Sequence, residues 1–168
     1  MGVSSILRGI AETSVLRKAD VSRFPDLFAN IERTVVIWPR NPDESTVAMA
    51  KGIYEVMGDR IAGGVSFKKA PPIKRGETIV LGDRDIGLFG RPKRASAKRL
   101  SGFTASIDLS PDFDLPISAL PAMAGIGLRI GRDRSRIGSA YNLIVSGGMG
   151  KTLKEILEFE RKNGKKVS

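Results

Sequence analysis

RTVVIWP, from Arg33 to Pro39, is the stretch that most limits what this chain can become. It is continuously apolar from Val35 to Trp38 and stops at a proline, the pattern of a short strand buried on both faces. A helical repeat follows at once in RNPDESTVAMAKGIYEVMG. Pro42 and Asp43 are start signals, Val47, Ala50, Ile53, Tyr54 and Met57 recur three and four residues apart, and Gly58 can close the helix in a left-handed conformation. A doubly buried strand followed directly by a one-sided helix is completed by a parallel sheet covered with helices. The rest of the chain supplies the parts. RIAGGVSF, TIVLG (Thr78 to Gly82), FTASIDLS, GLRIG and YNLIV read as further strands. Ala95 to Leu100 reads as a short basic helix, DLPISALPAMAG as a helix that Pro121 shortens or kinks, and Leu153 to about Lys162 as the final helix. The expected fold is therefore α/β, a mostly parallel sheet of about five to six strands with helices on both faces. Ile6, Leu7 and Ile10 stand at helical spacing near the start, so residues 1–30 read as an N-terminal helical extension and 31–168 as a single domain.

Composition enters through what is missing. The chain has neither cysteine nor histidine. That removes disulfides, thiolate nucleophiles, Ser-His and Cys-His pairs and zinc sites built on Cys or His, and leaves acid-base chemistry to Asp, Glu, Lys or Tyr. No apolar run approaches the ~18 residues that span a bilayer, so a cytoplasmic protein with at most peripheral membrane contact is expected. The formal charge is +10, concentrated at Lys68, Lys69, Lys74 and Arg75, at Arg91, Lys93, Arg94, Lys98 and Arg99, and at Arg129, Arg132, Arg134 and Arg136. Such a surface draws anions: nucleic acid, lipid headgroups, nucleotide diphosphates or an acidic partner protein. Only 6% of the residues are aromatic and no nucleic-acid module is recognisable, so charge alone speaks for nucleic acid.

One motif invites a stronger reading. VSGGMGKT holds a Gly-Lys-Thr between a predicted strand and a predicted helix, as a phosphate-binding P-loop does. A P-loop needs a glycine five residues before Gly150, and that residue is Val145. The loop is too short to wrap a phosphate chain, and no strand follows to bring a magnesium-binding Asp. Thr152 with Glu155 reads instead as a capping box opening the last helix, with Lys151 at a weaker anion site on that helix N-terminus.

Other candidates are acids and cations at predicted strand ends. Asp108, Asp112 and Asp114 follow one strand closely enough to suggest magnesium, but Asp114 before LPISAL suits a helix N-cap, and no metal or cofactor is expected. Asp43 is the candidate general base, although a helix cap, from Asp43 or Ser45, is the favoured reading. Arg40 after the first strand, Arg91, Lys93 and Arg94 in the glycine-and-proline loop, Arg129 and Arg132 around GLRIG, and Lys151 are the candidate anion contacts.

The order TVVIWPRNPDESTVAMAKGIYEVM, FTASIDLSPDFDLPISALPAMAGIGLRIG, YNLIVS resembles the N-terminal Rossmann-like half of ADP-heptose type bacterial glycosyltransferases, family 9 of that class, over about residues 33 to 146. DIGLFGRPKR with the later IDLS is also similar to small uncharacterised bacterial proteins that look like free-standing relatives of this half. The resemblance implies an acceptor-type domain. The nucleotide-sugar of such enzymes is held mainly by a C-terminal domain, for which no counterpart is expected in these residues. Their first loop carries a Gly-Asp pair, whereas PRNPDES has no glycine and Asp43 matches by location only. The reading that follows is a non-catalytic binding or assembly component that meets an anionic ligand or a separate protein partner through its basic surface. The alternatives are a glycosyltransferase or subunit acting on a phosphorylated acceptor, with Asp43 as base, and charge-driven association with nucleic acid or ribonucleoprotein.

Overall fold

The computed structural model describes residues 31–137, 139–145 and 148–163. The expected N-terminal helix lies outside them. The described residues form six strands and five α-helices, in the order β1 (Thr34–Ile37), α1 (Glu44–Met57), β2 (Ile61–Phe67), β3 (Glu77–Leu81), α2 (Arg94–Lys98), β4 (Ala105–Asp108), α3 (Leu115–Ser118), α4 (Leu120–Met123), β5 (Leu128–Gly131), β6 (Leu143–Ile144) and α5 (Met149–Asn163). Every strand pairing is parallel, and the order across the sheet is β3-β2-β1-β4-β5-β6. This is the doubly wound order of Rossmann-like domains.

The apolar run that opened the reading explains the two layers. Val36 of β1 points with Trp38 into a core shared with Ala50, Ile53, Tyr54 and Met57 of α1 and with Met149 and Leu153 of α5. Val35 and Ile37 point the other way, toward Ala97 of α2, Ile117 of α3 and Leu120 of α4. A strand buried on both faces has no polar side to offer, which is why its sequence shows no alternation. The chain therefore leaves β1 toward one face and β4 toward the other, and the loops after these neighbouring strands diverge.

Three local expectations change. The helix predicted over DLPISALPAMAG is two one-turn helices meeting at Ala119, because Pro121 has no N–H to give the Ile117 carbonyl one turn back. The strand predicted over YNLIV is reduced to Leu143–Ile144. The last helix starts at Met149, not at Leu153, and the Thr152 amide already donates to the Gly148 carbonyl at 3.0 Å. Thr152 is thus inside the first turn and the capping box with Glu155 does not exist. Burial of Met149 against α1 outweighs the poor helix propensity of Gly150. The two helices run close here: a Cβ on Gly150 would come into van der Waals contact, 3.4 Å, with the carbonyl carbon of Gly52.

Candidate functional site at the carboxyl edge of the sheet

In an open parallel sheet the ligand crevice lies outside the carboxyl ends of the strands where the winding reverses, here between β1 and β4. Two residues 74 apart in sequence meet across it. Arg40, just past β1, donates from Nε to Asp114 Oδ2 at 2.6 Å and from an Nη to Oδ1 at 3.3 Å. Its guanidinium also lies 4.4 Å from the centre of the Phe67 ring at the end of β2. Asp114 stands at the N-terminus of α3 as expected, but its carboxylate turns to Arg40 and makes no cap hydrogen bond. An ion pair and an aromatic face thus fix Arg40 over the switch point.

Below the surface, Asp108 at the end of β4 is 1% exposed. It accepts from the Tyr141 hydroxyl at 2.7 Å and from the Ser110 amide at 2.9 Å. Burial pushes its pKa above the ordinary carboxylate value, against the opposing pull of hydrogen bonds from Ser118, Tyr141 and Ser110. Burial also drives Tyr141 well above its ordinary value, and the neighbouring Asp108 adds to this. Asp108 and Asp114 accordingly face different partners, and no group of acids that could hold a metal is gathered among the described residues.

Asp43 caps α1. One carboxylate oxygen accepts from the Thr46 amide at 2.7 Å and from the Thr46 hydroxyl at 2.6 Å. The hydroxyl bond, then the amide bond, hold its pKa below the ordinary value, and Arg132 adds a smaller pull in the same direction. A carboxylate so stabilised is a weak base at neutral pH. Because its folded pKa is depressed, its cap strengthens the fold above the ordinary value near 3.8 and is lost as pH falls through the folded value. Asp43→Ala should therefore lower Tm at neutral pH, and the gap to the parent should close in acid. A gap that stays constant down to strongly acidic pH would show that the carboxylate is not what caps α1.

The basic candidates separate. Arg129, expected at the surface, is 1% exposed: its Nε donates to the Ala140 carbonyl at 2.9 Å and an Nη to the Ile126 carbonyl at 2.7 Å. Its charge serves the interior, not an anion in solution. Lys93 and Arg94 are exposed and Arg91 half-buried, Arg91 and Lys93 on the loop between β3 and α2 and Arg94 at the start of α2. Arg132 and Lys151 come together instead, lining a cleft of about 270 Å³ with Ser45, Met49, Gly52 and Gly148. Arg132 also donates to the Leu109 carbonyl at 3.4 Å, which anchors it from the β4 side. The floor of the cleft is where α5 begins, and the first-turn amides of a helix have no carbonyl one turn back to bond. Its wall is the first half of α1.

Tyr141 and Asn142 were not legible as site residues, and neither was the pairing of Arg40 with Asp114, although each of those two was a candidate by itself. The sequence places Tyr141 and Asn142 in the expected strand YNLIV. Asn142 in fact accepts from the Arg129 amide at 2.7 Å and donates to the Gly127 carbonyl at 2.6 Å. The only signal was a polar residue in an otherwise apolar run.

Strand order, covered faces and a furnished carboxyl edge define a Rossmann-like α/β domain. Comparison with protein-family models, with curated proteins and with solved structures finds no significant match to this chain. No helix among the described residues is long and apolar enough to cross a membrane.

Proposed function

We propose that the protein is a binding component that holds a small phosphate-bearing ligand in the cleft between α1 and α5, without chemistry of its own. The carrying observation is that Arg132 and Lys151, from separate elements, line one cleft at the N-terminus of a long helix. Two cations at a helix N-terminus offer charge and donors to the same anion. The volume, about 270 Å³, sits below the usual range for drug-sized ligands and suits a phosphate or a small phosphorylated molecule more than a dinucleotide. Asp43, the base that glycosyl transfer would require, is engaged as a helix cap and held weakly basic, which favours binding over transfer.

Calorimetric titration with inorganic phosphate and pyrophosphate tests this. Arg132→Ala and Lys151→Ala should each weaken binding about ten- to a hundredfold, as a charge-assisted hydrogen bond of roughly 1.5–3 kcal/mol implies. Arg94→Ala, at the start of α2 and outside the cleft lining, should leave binding unchanged. Failure of the parent protein to bind either anion at millimolar concentration, or an Arg132→Ala variant that binds as well as the parent, would sink the idea.

A further inference from the structure

A second feature of the carboxyl edge has no part in the cleft. Between β3 and α2 the chain forms a braced turn over DIGLFGRPK. Ile86 and Pro92 make an antiparallel bridge, the Gly87 amide donates to the Arg91 carbonyl at 2.7 Å, and the Lys93 amide donates to the Asp85 carbonyl at 2.9 Å. Asp85 fastens the base of the turn. It accepts from the Gly82 amide at 2.8 Å and from Ser96 Oγ at 2.8 Å, and lies 3.7 Å from Arg99. The tip that this frame holds out is apolar. Leu88 is 82% exposed and Phe89 54% exposed. Phe89 also sits at φ +58, a left-handed conformation that a phenylalanine rarely adopts. The frame holds the tip in this shape, and the two side chains gain no burial from it.

The surroundings of the tip are cationic. Arg84, Lys93 and Arg94 are exposed, and Arg91 is half-buried. Arg84, Arg91 and Arg94 enter no ion pair with the described residues. The acids of the segment are otherwise engaged: Asp83 lies 3.0 Å from Lys68, and Asp85 is bound as above. Two exposed bulky apolar side chains, flanked along the chain by cations that enter no ion pair with the described residues, match the layering of an anionic bilayer surface, where apolar groups enter the headgroup boundary and cations meet phosphates.

We infer that this turn is a membrane-docking knob, with Leu88 and Phe89 entering the interface of an anionic bilayer and Arg84, Arg91, Lys93 and Arg94 contacting lipid phosphates. A protein partner fits less well, because two side chains on a convex tip are too small an apolar core for a specific interface. Nucleic acid fits less well too, because Leu88, the more exposed of the two, has no ring on which a base can stack. The inference does not rest on the phosphate cleft.

The test is co-sedimentation of the full chain with vesicles of phosphatidylcholine alone and of phosphatidylcholine mixed with phosphatidylglycerol. Binding is expected only to the mixed vesicles, and it should fall steeply with added salt. The double variant Leu88→Ser, Phe89→Ser should partition at least tenfold more weakly while keeping the parent's circular dichroism and Tm, since neither side chain is buried. Arg91→Gln with Arg94→Gln should weaken it similarly. Arg132→Ala should pellet like the parent, which separates this surface from the cleft. Phe89→Trp should shift its emission to the blue on mixed vesicles, against the constant signal of the buried Trp38. No sedimentation with anionic vesicles, undiminished sedimentation of the serine variant, or Phe89-dependent binding to single-stranded RNA in place of vesicles would each overturn the inference.

Discussion

Asp108→Ala is expected to cost about 3–5 kcal/mol of folding stability and to lower Tm by about 10 °C. The carboxylate is buried, and its loss strands two buried donors, the Tyr141 hydroxyl and the Ser110 amide, at about 1–3 kcal/mol each. The region cannot adjust easily. The Tyr141 ring is packed against Gly131 so tightly that a Cβ there would lie 2.5 Å from three ring atoms. Asp108→Asn keeps one acceptor and the volume, so its cost should be smaller. The pH dependence follows from the raised folded pKa. The folded state binds this proton more tightly than the unfolded chain, so the contribution is present below the ordinary value near 3.8 and lost as pH rises through the folded value. The asparagine variant has no such loss, and its deficit relative to the parent should shrink as pH rises. Urea denaturation at several pH values reads both effects. An alanine variant within 1 kcal/mol of the parent would mean that Asp108 does not join β4 to Tyr141.

Gly76→Ala should be of similar size for a different reason. Gly76 has φ +65, which costs an alanine about 1–2 kcal/mol. An added Cβ would also lie 2.1 Å from the Ala62 carbonyl oxygen and 2.4 Å from its carbonyl carbon. Those are backbone atoms of β2, so no side-chain rotation relieves the clash. The chain must move just before β3, where Glu77 pairs with Gly63. A total of about 4 kcal/mol is expected, with early loss of amide protection at Ile79 and Leu81 in hydrogen exchange. Gly125 provides the control. Its φ is +75 but open space surrounds it, so Gly125→Ala should show the conformational cost alone. Equal effects at the two glycines would remove the steric argument.

Much of this architecture could be read from the residues in order. TVVIWP had to be a strand covered on both sides, and the spacing of Ala50, Ile53, Tyr54 and Met57 had to be a helix packed on one of them. Gly58 closes that helix at φ +55, its amide donating to the Tyr54 carbonyl. The site was less legible. Arg40 and Arg129 look alike in sequence, each beside an apolar run. One is held over the switch point by Asp114 and Phe67, and the other is sealed inside on backbone carbonyls. Periodicity reports which side of its own element a residue occupies and nothing about what another element brings to meet it.

The sequence by itself thus determined a parallel α/β fold and a chain without thiol or imidazole chemistry, because apolar spacing and absent residue types are local facts. Only the tertiary structure decided that β1 lies beside β4, setting Arg40 against Asp114, and that Arg132 and Lys151 share a cleft while Arg129 does not. It also moved the start of α5 to Met149, because burial against α1 there outweighs the capping-box signal at Thr152 that pointed to Leu153. Each of these depends on which elements become neighbours, and that is settled by packing over the whole sheet, beyond the reach of any single segment.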